Sequence, residues 1–182
     1  MPNIPTSDLF DTFAEDLLGE RTARPLIIVG ASKVDQLLFE ILNIHLLPKL
    51  AKVKDHDELL EGDRPLATFS ARIKLCYRLG LIDKTLYLAL EQLRAIRNPS
   101  AHSIAFDITK SPMREHLLEL RKCVVSRHSF RLTKERYFED SPFSKIEELQ
   151  CVMLTLCVLL EAIREKTTTT GGSKSTLSIA TK

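Results

Sequence analysis

Arg97-Asn98-Pro99-Ser100-Ala101-His102 gathers in one stretch three side chains that can act on a phosphate. A histidine titrates near neutrality and can move a proton at a 2′-hydroxyl or a leaving oxygen. A guanidinium is a fixed bidentate phosphate donor, and the asparagine amide can orient the groups around it. Spacing restrains this chemistry. Asn98 and His102, four apart, share a helix face, whereas Arg97 and His102, five apart, leave an ideal helix about 140° from each other. Pro99 disfavours helical geometry at Asn98 and deletes a backbone donor, which predicts that the helix ends or kinks there. The same residues also have purely structural uses: Arg97 paired with a carboxylate or a helix end, Asn98 capping the broken helix, His102 closing the turn on a carbonyl. The structural use ranks first, ahead of partner or ligand binding and of catalysis.

A second constellation is basic. Arg121, Lys122, Arg127, Arg131, Lys134 and Arg136 occur with a single acid, Glu135, and with Phe130, Tyr137 and Phe138 nearby. Such a run could touch RNA phosphates and stack bases. The favoured reading is intramolecular, because the N-terminal segment carries five acids between Asp8 and Glu20 that could complement it. His45, His56, His116 and His128 form no H-x3-H or H-E-x-x-H pair, so no metal is expected. Gly171-Gly172-Ser173-Lys174-Ser175 lacks the spacing and preceding strand of a phosphate loop, and no cofactor is expected. Cys76, Cys123, Cys151 and Cys157 are too far apart for a knuckle and read as buried free thiols of a reduced, cytoplasmic protein.

The elements that must hold these residues are helices, since apolar spacing runs in threes and fours and glycines number only six. Ser7 can cap a helix to Leu18 with Leu9, Phe10, Phe13, Leu17 and Leu18 on one side. A long helix follows from about Pro25 to Val53, bent near Pro48. After a polar loop at 55–66, Thr68 caps a helix to Leu79. Asp83 caps the next, and Leu86, Leu90 and Leu93 make an inward stripe that reaches Arg97. These two form a hairpin over residues 68–101. Ser111-Pro112 starts a helix to about Val125, and Ser144-Lys145-Ile146-Glu147 is a capping box opening the last one, to Lys166. That final helix is apolar nearly all round, which requires a central, buried place or cover from a second subunit.

The charge balance of 26 basic to 24 acidic residues gains meaning from its placement. The excess sits on Lys174 and Lys182 in the threonine-, serine- and glycine-rich segment 167–182, which should be a disordered tail. The remaining 1–166 are neutral, which argues against a globally basic nucleic-acid binder. No basic-flanked apolar leader opens the chain, and the longest apolar stretch, Cys151 to Leu160, is half of what a bilayer demands. The fold class read here is all-α, a single domain of about six helices with a long hairpin and a buried C-terminal helix.

Residues 62–82, Gly62-Asp63-Arg64-Pro65-Leu66-Ala67-Thr68-Phe69 through Arg72 to Gly80-Leu81-Ile82, followed by Leu93-Arg94-Ala95-Ile96-Arg97-Asn98-Pro99-Ser100-Ala101-His102-Ser103, resemble the mannitol operon repressor (MtlR-type) family. Ile28 to Leu38 looks like that family's second helix, so the likeness covers residues 7–166. It implies an all-helical transcriptional regulator without a DNA-reading helix that works through a protein partner. Arg97 to His102 also resembles the Arg-x4-His signature of the HEPN helical domains. That likeness implies metal-independent RNA cleavage at a dimer interface, with His102 as general acid or base, Arg97 stabilising the phosphorane and Asn98 orienting groups.

A helix-turn-helix needs an exposed, basic recognition helix, and none of the six expected helices fits. The leading expectation is therefore a non-enzymatic regulator that binds a protein, such as another transcription factor, through Arg64, Phe69, Arg72, Arg97, Asn98 and His102. Homodimerisation is compatible with it, direct DNA binding is disfavoured and no membrane is involved. The alternative is a HEPN-like endoribonuclease or toxin component using Arg97, Asn98 and His102, with RNA as its substrate.

Overall fold

In the computed structural model, which describes residues 8–48, 57, 59–138 and 143–170, the chain is all helical. Seven helices occur among the described residues: α1 (Asp8–Gly19), α2 (Ala23–His45), α3 (Phe69–Arg78), α4 (Lys84–His102), α5 (Met113–Val125), α6 (His128–Tyr137) and α7 (Lys145–Lys166). They pack as one domain, with α2 lying against both α7 and α4, α5 against α4, and α6 and α1 against α7.

α7 is the centre. Every residue from Leu149 to Val158 is buried, as its all-round apolar pattern requires. Two polar residues survive there because they are satisfied. Thr155 donates to the Cys151 carbonyl at 2.7 Å. The Gln150 amide donates to the carbonyls of Leu17, Leu18 and Glu20, closing the C-terminus of α1, where backbone acceptors have no partner of their own. The capping box at the start of α7 is complete: Ser144 accepts from the Glu147 amide and Glu147 accepts from the Ser144 amide.

The hairpin forms as its caps dictate. Thr68 accepts from the Ala71 amide and Asp83 from the Leu86 amide. Between the helices, Gly80 takes a left-handed φ of 72°. The Gly80 amide then bonds the Tyr77 carbonyl and the Leu81 amide bonds the Cys76 carbonyl, which ends α3 in a Schellman turn. Tyr77 stacks on Tyr87 across it at 4.6 Å.

Five local expectations are corrected. α2 stops at His45 and does not run on through Pro48; the restricted backbone ahead of a proline ends it early, and 49–53 lie outside the described residues. α4 continues through Pro99 to His102, and the Ser103 amide still bonds the Pro99 carbonyl at 2.8 Å, so Asn98 caps nothing. α5 begins at Met113 with Pro112 at the cap, one residue later than expected. Leu9, placed on the inner side of α1, is 82% exposed, while Ala14 completes the buried stripe with Phe10 and Leu17. Finally, α6 is a seventh helix inside the basic run. Of its inner residues, Ser129, Phe130 and Thr133, only one is apolar, too little to stand out against the surrounding charge. The expected Ser7 cap and the segment 171–182 lie outside the described residues. Thr169 and Thr170 lie beside the end of α2, the Thr170 amide bonding the His45 carbonyl at 2.7 Å.

Candidate partner-binding site

Three helices meet around Arg97. Ala31, Ser32 and Asp35 on α2, Phe69 on α3 and Arg97 on α4 line a small cleft of about 100 Å³. The sequence-predicted Phe69 and Arg97 are thus brought together, although 28 positions separate them. No carboxylate or carbonyl among the described residues pairs with the Arg97 guanidinium. Asp35, the acid in the same cleft, is already engaged by Arg72 at 2.8 Å.

Arg72 has a structural task. It also donates to the Leu60 carbonyl at 2.8 Å and lies over the Phe39 ring at 5.2 Å, so one mostly buried guanidinium ties α3 to α2 and to the loop ahead of it. That loop is shaped by Asp57, whose carboxylate accepts from the amides of Leu59 and Leu60. Arg64 stands exposed in its turn.

Asn98 and His102 are exposed on α4, and neither lines the Arg97 cleft. The helix remains unbroken between them, so the five-residue spacing of Arg97 and His102 keeps its angular separation of about 140°. Arg97 therefore lines the cleft while His102 stands on another side of α4. A neighbour that sequence reasoning missed holds the end of α4: Arg24 donates to the carbonyls of Ser103 (2.7 Å) and Ile104 (3.2 Å), with its guanidinium 5.5 Å from the Phe106 ring. A cation at a helix C-terminus matches the partial negative charge there. Nothing in sequence spacing connects residues about 80 positions apart.

The basic run is spread over α5, α6 and their junction, and it is internally matched. Arg121 pairs with Glu148, Lys122 with Glu119 at 2.5 Å, Arg127 with Asp83 at 2.9 Å, Arg131 with Glu135 at 3.7 Å and Arg136 with Asp11 at 2.8 Å. Lys134 lies 5.1 Å over the Phe143 ring. Only Asp11 of the acidic first helix takes part in these pairs, so most of the complementing carboxylates come from other helices. Burial alone would raise the Asp83 carboxyl, but hydrogen bonds from Arg127 and the Leu86 amide outweigh it and hold it below the usual carboxylate range.

Among the described residues no three His, Cys, Asp or Glu side chains gather as a metal-holding group, and no helix is long and apolar enough to cross a membrane.

No protein-family model matches this chain, and no curated protein does. Solved structures do. A possible transcriptional regulator, YggD, from Shigella flexneri superposes with a TM-score of 0.59 at 15% identity, covering 91% of this chain and 100% of that one. A chain of the MtlR–HPr complex from Escherichia coli superposes with a TM-score of 0.56 at 20% identity, covering 87% of this chain and 99% of that one. At such identities the likeness is one of architecture. This chain shares its overall fold with these two proteins over nearly their whole length.

Proposed function

We propose that this chain is a transcriptional regulator of the mannitol operon repressor type that acts by binding a protein partner and not by reading DNA, with residues 1–166 as the regulatory domain. The observation that carries this reading is the shared fold. One similar structure is described as a possible transcriptional regulator, and the other contains MtlR held in a complex with the protein HPr.

Charge placement supports it. α6, a short helix inside the basic run, has its cations engaged by carboxylates or an aromatic ring and not held out for a DNA groove. By contrast, the unpaired Arg97 beside Phe69, with exposed Arg64, Asn98 and His102 nearby in sequence or on the same helix, is the surface we assign to the partner. Arginine and aromatic side chains are the usual anchors of such contacts.

Calorimetric titration with HPr tests the reading directly. Saturable binding, weakened about tenfold or more by Arg97→Ala, is expected. Tight, sequence-specific binding of operator DNA by the purified chain alone would overturn the partner-mediated mechanism. RNA cleavage abolished by His102→Ala in a folded variant would replace it with the endoribonuclease reading.

A further inference from the structure

A second concavity lies away from Arg97, between α5 and the start of α7, with a volume of about 660 Å³. Its floor is aliphatic: Ile108, Leu117, Leu118, Ile146 and Leu149. Leu118 is left 44% exposed there. Its rim is cationic. Arg114 and Lys145 both line it, are both exposed, and have no carboxylate partner among the described residues. The one acid of the lining, Glu148, is held by Arg121 and does not neutralise them.

These features select the chemistry of an occupant. The volume suits a small molecule. A sugar alcohol is a poor match, because the polar groups of the lining, Thr109, Arg114, Lys145 and Glu148, are outnumbered by aliphatic side chains against which its remaining hydroxyls would be desolvated. An alkyl chain gains from covering the floor, and an anionic end group gains from two unmatched cations. We infer that this groove binds a small amphipathic acid, an unbranched aliphatic carboxylate whose chain lies on Leu117, Leu118 and Ile146 and whose carboxylate is held at the rim by Arg114 and Lys145. The site is separate from the partner surface, so a regulator built this way can take an effector and a protein at once.

Decanoate, titrated calorimetrically into the full chain below its micellar concentration, is the probe. The expected result is saturable one-to-one binding, weakened about tenfold or more in the Arg114→Ala/Lys145→Ala double variant and in Leu118→Gln. Decanol, which keeps the chain but not the charge, should bind more weakly than decanoate. All substituted positions are solvent-accessible, and unchanged far-UV circular dichroism would confirm that each variant is folded. Absence of saturable decanoate binding, or affinity unchanged in both folded variants, would overturn the proposal.

Discussion

Arg24, in the first turn of α2, donates to the carbonyl of Ser103 at 2.7 Å and so locks the end of α4 to the start of another helix. Arg24→Ala leaves those carbonyls without a charged donor. It should cost about 1–2 kcal/mol. Amide exchange should quicken at 103–106 in the variant, while the α2–α7 contact stays protected. Equal quickening throughout the domain would show that the clasp is not local.

Gly30 lets α2 approach α7 closely. A Cβ built there would lie 3.1 Å from Met153 Sδ and 3.2 Å from its Cγ. Gly30→Leu overpacks this contact and should lower stability by about 1–3 kcal/mol in urea unfolding. Adding Met153→Ala should restore part of the loss, because the two sites share one space.

Asp83 caps α4 and receives Arg127 in a single contact region. Its depressed pKa means that the folded chain binds the proton more weakly than the unfolded chain. The stabilisation is therefore fully present above the ordinary carboxylate value of about 3.9 and is lost as pH falls through the folded one. Asp83→Asn should flatten the acid limb of a stability-against-pH curve while keeping most of the cap. Asp83→Ala removes the cap as well and should cost about 1 kcal/mol at neutral pH. An unchanged acid limb in Asp83→Asn would remove Asp83 from this role.

Glu161, 4% exposed on α7, stands between Lys33 and Arg164, at 3.7 and 2.6 Å. Burial outweighs its cationic neighbours and raises its pKa. Glu161→Ala would strand Lys33, which among the described residues has the Phe13 ring 5.7 Å away besides this carboxylate. Breaking so buried a pair should cost about 3 kcal/mol. Lys33→Met with Glu161→Leu should recover much of that loss, since an apolar pair of similar size avoids the desolvation.

Cys76, Cys151 and Cys157 are buried, and burial pushes each thiol up to about 12. Cys123 is half-buried and raised as well, by burial and by Glu119. At pH 8 a thiol reagent should modify Cys123 alone, and slowly, with the other three reacting only on unfolding. Rapid modification of all four in the native protein would contradict the packing of α7.

Six of the seven helices among the described residues, and most of their ends, were determined by the sequence alone. Thr68, Asp83 and Ser144 act through backbone amides three residues away, and Gly80 through its own dihedral angle, so neighbouring letters suffice to place them. The burial of α7 followed for the same reason, from an apolar surface that has to be covered. Tertiary structure decided the rest. Pro99 stays helical because α4 is held by its packing and by Arg24, against the local preference for a break. α6 is a helix because Phe130 and Thr133 find α7, although its own composition is mostly polar. Arg97 shares a cleft with Phe69 while His102 does not, a distinction set by where α2 and α3 cross α4. The two unmatched cations above the α5–α7 groove are likewise legible only in three dimensions, since a charge is free or paired according to what folds beside it.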